Sequence, residues 1–413
     1  MHYHAILTNN RSQTNTLVEN LIQGNPIRGL EHFQNKRGVV FSRFEIDRLI
    51  DEEERHDMKI VTRHTSQPLK TMSSGEQKRA LLNYLLQTGP DFLVLVNPFD
   101  NLDTQTQKQL KEKLNHISKS IDLVQVVTRV SDILPLTTSY SKLENDFLHH
   151  YPDERAFWKV HQHFEIELSL PIPPPLTHIE IPGEELVSFK KVSVSFDGNP
   201  ILQNIDWCIK KGDFWQLMGP NGSGKTTLLN MITGDSHKGY GQDLAIFGQK
   251  KGSGESVWDL KENIGYFTPS MTDKFKGYHT LEHMLISGLH DSIGLYIQPS
   301  DTERQLAREW LTLLGMYARR NQYFQVLTTG EKRLIMIARA MIKHPPLLIL
   351  DEPTAGLDDT SAALFIALVN KMANESTIAI IFVSHRKEAH LKPQFVYGLQ
   401  PTLKGSTGTV NKL

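Results

Sequence analysis

Gly219-Pro220-Asn221-Gly222-Ser223-Gly224-Lys225-Thr226 fits the pattern G-x-x-x-x-G-K-T without a mismatch, and its reading decides the fold. An apolar segment, Phe214 to Met218, precedes it and a run from Thr227 to Ile232 follows, so the stretch reads as strand, loop and helix. Such a loop binds phosphate. Its glycines let successive backbone N–H groups turn inward on the β- and γ-phosphates of a nucleotide, Lys225 adds a point charge, and the Thr226 hydroxyl can ligate Mg²⁺. Thr227 completes the candidate binding set at the start of the helix. A Gly-rich turn with no such task accounts for neither Lys225 nor Thr226.

Upstream, the chain repeats itself. Ser73-Ser74-Gly75-Glu76-Gln77-Lys78-Arg79 echoes Thr328-Thr329-Gly330-Glu331-Lys332-Arg333, each ahead of a helical pattern and then an apolar strand. The interval from Ser73 to Val96 equals that from Thr328 to Asp351, and Asn101-Leu102-Asp103 coincides with Gly356-Leu357-Asp358 on the same offset. A further strand ends at Thr128-Arg129 in one half and Ser384-His385 in the other, matched to within one position. The phosphate loop also has a counterpart, Thr8 to Leu17, where Arg11 and Gln13 replace two glycines and Thr14 replaces Lys225. Side chains crowd that turn and its charge is gone. From loop to second motif the first half is the shorter. Leu170-Pro171-Ile172-Pro173-Pro174-Pro175-Leu176 reads as an extended, semi-rigid linker, which divides the chain into 1–165, 166–185 and 186–413.

A chain of 413 residues is long enough for two or three domains. Its 45 Lys+Arg against 46 Asp+Glu leave no basic field, so nucleic acid is unsupported as a partner. Cys208 stands alone and suits a reducing compartment. The N-terminus lacks the charged and apolar regions of a signal peptide. The longest apolar runs, such as Thr377 to Val383, are strand-sized, below the ~20 residues of a membrane helix. A cytoplasmic chain is expected, and any transport pore must come from another chain. His149, His150, His161 and His163 lack the spaced ligands of a zinc site.

In order, the second half carries the phosphate loop, Thr328-Thr329-Gly330-Glu331, Leu347 to Leu350 running into Asp351-Glu352-Pro353-Thr354, Gly356-Leu357-Asp358 and Ser384-His385. This resembles an ATP-binding-cassette (ABC) nucleotide-binding domain from about residue 186 to the end, and the first half resembles an incomplete, degenerate one. The implied fold class is α/β, two tandem P-loop ABC-type nucleotide-binding domains with the first shortened. More narrowly, the pattern is similar to the ModF/PhrA-type tandem ABC ATPases, on Leu285 to Tyr296 and on Phe44-Glu45 with Asp51 to Arg55. Names in that family refer to molybdate and photorepair, but nothing in these residues selects an oxyanion or damaged DNA.

The resemblance implies ATP held between two cassettes, on the phosphate loop of one and the second motif of the other. It implies that Asp351 and Thr226 serve Mg²⁺, Glu352 polarises or deprotonates the attacking water, and His385 touches the γ-phosphate. Phe196 stands where the family stacks adenine, or is an ordinary strand residue. The glutamine expected after Ile264-Gly265-Tyr266-Phe267 is replaced by Thr268, Pro269 and Ser270. The first half has Thr14, Val96, Asn97 and Arg129 at the Lys, Asp, Glu and His positions, so its own loop should not hydrolyse ATP. Yet Ser73 and Gly75 keep the small hydroxyl and glycine able to reach a γ-phosphate on a facing cassette. The defects sort by site, which implies intramolecular cassette pairing and one working site using ATP and Mg²⁺. The ATPase is then the ATP-binding component of a transporter, docking a membrane permease near residues 271–325 at the inner face of the plasma membrane. Alternatively it is a soluble non-transport ATPase (regulatory, ABC-F-like or repair-associated), or a slow nucleotide-sensing scaffold. The short Pro-rich linker and near-zero net charge argue against ribosome binding.

Overall fold

Runs such as Phe92-Leu93-Val94-Leu95, apolar at every position, have two buried faces to fill, and they form parallel sheets sandwiched by helices. The computed structural model describes residues 1–56, 58–63, 67–144, 147–161, 165–254, 256–386 and 388–413; His163 lies outside them. The chain divides into two compact units, Met1–Phe164 with Gly356–Thr360, and Glu165–Ala355 with Ser361–Leu413.

The first unit has strands β1 (Tyr3–Leu7), β2 (Gly38–Phe41), β3 (Phe92–Val96), β4 (Asp122–Val127), β5 (Ser139–Glu144) and β6 (Phe147–His150). They form one sheet in the order β2-β3-β4-β1-β5-β6, parallel except for β6 at the edge. Its helices are α1 (Thr14–Gln23), α2 (Arg43–His56), α3 (Ser74–Gln87), α4 (Thr104–Ile117) and α5 (Glu154–Val160). Alternate residues of β3 feed opposite cores. Leu93 and Leu95 join Leu81, Leu85 and Leu114, while Phe92 and Val94 join Leu17 and Leu21.

The second unit contains β7 (Glu185–Phe196), β8 (Asn199–Lys210), β9 (Phe214–Met218), β10 (Leu244–Ile246), β11 (Gln249–Lys250), β12 (Ile264–Phe267), β13 (Leu347–Asp351), β14 (Ala379–Val383), β15 (Phe395–Gln400) and β16 (Thr407–Lys412). Its helices are α6 (Lys225–Ile232), α7 (Val257–Glu262), α8 (Leu281–Leu289), α9 (Asp301–Leu313), α10 (Thr329–Met341) and α11 (Asp359–Glu375). The main sheet runs β12-β13-β14-β9-β15-β16, the same strand permutation as the first unit. The repeat read from intervals is therefore a repeat of topology. A second, antiparallel sheet, β11-β10-β7-β8, is particular to this unit among the described residues. Between β12 and α10 this unit places α8 and α9, where the first unit, between β2 and α3, has α2 among its described residues.

The Pro-rich segment has no regular secondary structure. It is fastened to the second unit rather than left free: the Ile172 N–H donates to the Glu375 carboxylate (2.9 Å), and His344 Nε2 donates to the Pro173 carbonyl (2.7 Å).

Candidate active site

The loop after β9 turns on two residues with left-handed backbone, Gly222 (φ +76°) and Gly224 (φ +93°), conformations that an L side chain rarely adopts. A Cβ on Gly224 would also lie 2.6 Å from the Leu202 side chain. Lys225 opens α6 and is buried, with its Nζ folded back onto the carbonyls of Gly219 (2.8 Å) and Pro220 (3.0 Å). The loop runs directly into the N-terminus of α6, where the peptide dipoles favour an anion; one of its amides, the Ser223 N–H, already donates to the Pro220 carbonyl (3.2 Å).

The first unit's loop is built otherwise. Gln13, opposite Gly224 in the repeat, has φ −80°. The Arg11 N–H donates to Asn9 Oδ1 (2.9 Å), the Thr14 N–H to the Ser12 carbonyl (2.9 Å) and the Asn9 N–H to Ser12 Oγ (3.2 Å), while the Ser12 N–H on the Asn9 carbonyl (3.1 Å) repeats the bond of the Ser223 N–H to the Pro220 carbonyl (3.2 Å) in the second loop. The amides of Arg11 and Thr14, opposite Gly222 and Lys225, are thus satisfied within the loop itself.

Across from the second loop, β13 ends at Asp351, and Glu352 follows with φ +52° and its N–H on the Val383 carbonyl (3.1 Å). His385 Nε2 lies 2.9 Å from Glu352 Oε1. Burial, reinforced by the Glu352 charge, pushes the Asp351 carboxyl above its ordinary value, against opposing effects of the Tyr266 hydroxyl, Lys225 and His385. Tyr266 reaches Asp351 Oδ2 at 3.4 Å from the neighbouring strand, a contact that motif reading missed.

One cavity of about 390 Å³ is lined by Phe196, Ile201, residues 221 to 227, Asp351, Glu352 and His385. Phe196, at the end of β7, is 38% exposed, and Lys238 Nζ sits 5.0 Å from its ring centroid. Gly219 and Pro220 lie behind the lining as acceptors for Lys225. Thr226 and Asp351 face the same space, and their hard oxygens suit Mg²⁺, whose remaining ligands in such sites are phosphate and water. That chemistry needs no protein cage, and among the described residues there is no cluster of three or more His, Cys, Asp or Glu able to hold a metal.

Ser73 and Gly75 belong to the first unit, and each also has a local task. The Ser73 hydroxyl caps α3, accepting the Glu76 N–H (3.4 Å) and donating to Glu76 Oε2 (2.7 Å), while Glu76 returns a bond to the Ser73 N–H. A Cβ on Gly75 would lie 2.8 Å from Thr106 Cγ2. Thr328 and Glu331 form the same capping box ahead of α10.

One correspondence needs correcting. Val96 pairs with Val126 and Asp351 with Val383, and the amides of Asn97 and Glu352 bond to the carbonyls of those same partners. Counting on from that register, the counterpart of His385 is Thr128 and not Arg129. Asn97 (φ +43°) keeps the left-handed backbone of Glu352, which asparagine tolerates better than most residues. Its Oδ1 accepts the Thr128 N–H at 3.0 Å, so a neutral hydrogen bond occupies the place of the Glu352–His385 pair.

The family model described as ABC transporter matches residues 202–355. The ABC transporter ATP-binding protein ModF of Escherichia coli is 36% identical over 344 residues, 79% of this chain and 69% of ModF. An uncharacterized ABC transporter ATP-binding protein of Schizosaccharomyces pombe is 28% identical over 329 residues, 78% of this chain and 66% of its own length. Among solved structures, the archaeal ribosome recycling factor aABCE1 in complex with stalk protein aP1 aligns with a TM-score of 0.63 at 16% identity. That alignment covers 98% of this chain and 84% of the other, a likeness of fold. Among the described residues no helix is long and apolar enough to cross a membrane.

Proposed function

The chain belongs to the ABC transporter ATP-binding family, as a tandem ABC ATPase related to ModF, and from that membership we propose that it hydrolyses ATP at one working site. The loop amides and Lys225 bind the phosphates, and Phe196 offers an exposed ring face to the adenine. Thr226 and Asp351 would hold Mg²⁺, which supplies charge neutralisation at the phosphates when bound. Glu352 orients a water and takes its proton, and His385 contacts the γ-phosphate from its place beside Glu352. Ser73 and Gly75 complete this site in the reading proposed here, so that one chain pairs its two cassettes around one ATP.

The observation that carries the reading is the grouping of loop, Asp351, Glu352 and His385 on one cavity, while in the first unit's loop the Arg11 and Thr14 amides are spent within the turn. The test is steady-state ATPase activity of the wild type beside Ser73→Arg at several protein concentrations, with a thermal melt to show that the variant is folded. Loss of activity, with a wild-type specific activity independent of concentration, supports the intramolecular site. Surviving activity rejects Ser73 as part of it.

For the cycle as a whole we propose the ATP-binding component of a transporter, working in the cytoplasm at the inner face of the membrane, with molybdate as the first substrate to test. The permease would dock on residues 271–325, a stretch where Tyr278 and Tyr296 are exposed. Co-purification with a membrane protein is the expected result. Recovery with ribosomes, or with neither, would move the assignment to a non-transport ATPase or a nucleotide-sensing scaffold.

A further inference from the structure

Asp351 reaches the cavity from the end of β13, and on β12 beside it Tyr266 pairs in register with Ile349, two residues before Asp351 and on the same face. The Tyr266 hydroxyl therefore meets Asp351 on the diagonal, at 3.4 Å from Oδ2. This is longer than an optimal O–H···O bond, and a small rotation of either side chain closes it. Tyr266 is not itself among the residues lining the cavity.

The first unit supplies an internal comparison. There Val40 pairs with Val94 in the same parallel register, and Val96 stands two residues further on. Position for position, the tyrosine and the aspartate are both valine. Val40 and Val96 line a cavity of about 470 Å³ beside Val18 and Ile22 but among mostly polar residues, so only the place of the polar pair itself has become apolar. A tyrosine kept only to fill the sheet need not vanish with the acid; one kept to hold the acid has no task once the acid is gone.

Resting on the Mg²⁺-ATP reading of this site, we propose that Tyr266 is a positioning residue whose hydroxyl holds Asp351 Oδ2 and so fixes the carboxylate that would serve Mg²⁺. The glutamine that the resembled family places after this strand is absent, and Thr268, Pro269 and Ser270 are not among the lining residues. Support for Asp351 from the β12 side then comes from the phenol. A phenol is protonated at neutral pH and therefore able to donate.

The experiment is binding of a fluorescent ATP analogue to the full-length wild type, Tyr266→Phe, Asp351→Ala and the double variant, without Mg²⁺ and across a Mg²⁺ titration. Tyr266→Phe keeps the ring, and an unchanged Mg²⁺-free affinity reports an intact loop. The expected result is a Mg²⁺ midpoint raised about tenfold, in the range of other partners that orient metal ligands, and no further change from Tyr266→Phe in the Asp351→Ala background, which has no acceptor for the phenol. An unchanged midpoint, or an effect of Tyr266→Phe that is equal with and without Asp351→Ala, overturns the proposal. Wild-type binding indifferent to Mg²⁺ would instead reject the Mg²⁺-ATP reading on which it rests.

Discussion

Glu352 Oε1 and His385 Nε2 are 2.9 Å apart, and the first unit holds Asn97 and Thr128 at the same two positions, joined by a neutral bond of 3.0 Å. The carboxylate that would take a proton from water thus lies beside the side chain that would touch the γ-phosphate. Glu352→Gln should keep nucleotide binding and lower turnover by at least about a hundredfold, the usual worth of a general base. Single-turnover hydrolysis measured beside equilibrium binding checks this; substantial hydrolysis by the variant would remove Glu352 from the role of base.

Asp351 carries a conflict between stability and chemistry. Its carboxyl is raised by burial and by Glu352, so the folded protein holds that proton more tightly than the unfolded chain does. The ionised form consequently costs stability above the folded value, and the cost disappears as pH falls through the window between folded and ordinary values. Asp351→Asn removes the charge while keeping an acceptor oxygen for Tyr266. Without nucleotide and Mg²⁺ its melting temperature at neutral pH should exceed that of the wild type, and its ATPase activity should be lost. A lower melting temperature would contradict the balance of forces described for this carboxylate.

Much of the second site was legible because contiguous motifs fix their chemistry at fixed spacing: the loop, Asp351-Glu352 and His385 line one cavity as their order implied. The repeat was legible for a similar reason, since matched intervals preserved strand order. Other features needed the register of the sheet. One residue of slack between Thr128 and Arg129 cannot be resolved without knowing which valine pairs with Val96, and the Tyr266–Asp351 contact is diagonal across strands far apart in the chain. The capture of loop amides by Asn9 and Ser12 depends on turn geometry that substitutions alone do not specify. Ser73-x-x-Glu76 did carry a readable helix-capping signal, which a purely functional reading of the motif passed over.

Glu331 should set part of the acid limb of stability. Burial raises its carboxyl, but bonds from Arg319 and from the Thr328 N–H and hydroxyl outweigh burial and hold it down to about 2. A depressed carboxylate contributes stability that is fully present above its ordinary value of 4.5 and is lost as pH falls from there through about 2. That contribution is at most about 3 kcal/mol. Glu331→Gln should lower the melting temperature at neutral pH and flatten its fall across that window. Parallel melting curves for variant and wild type at every pH would show that Glu331 does not contribute through its charge.

Restoring the lysine of the first loop should not restore its binding. In Thr14→Lys, tested with Lys225→Ala so that the second loop is silent, Gln13 would still lack the left-handed backbone of Gly224. Asn9 and Ser12 would still occupy the amides of the turn, and Val96 would still stand where the metal-side carboxylate is needed. A single positive charge cannot replace several aligned N–H donors, because the charge attracts phosphate without fixing it in place. The expected outcome for the double variant is no saturable binding of a fluorescent ATP analogue, with or without Mg²⁺, and the same result as for Lys225→Ala alone. Saturable binding gained by Thr14→Lys would mean that the loop's internal bonds yield to phosphate and that the missing lysine was its chief defect.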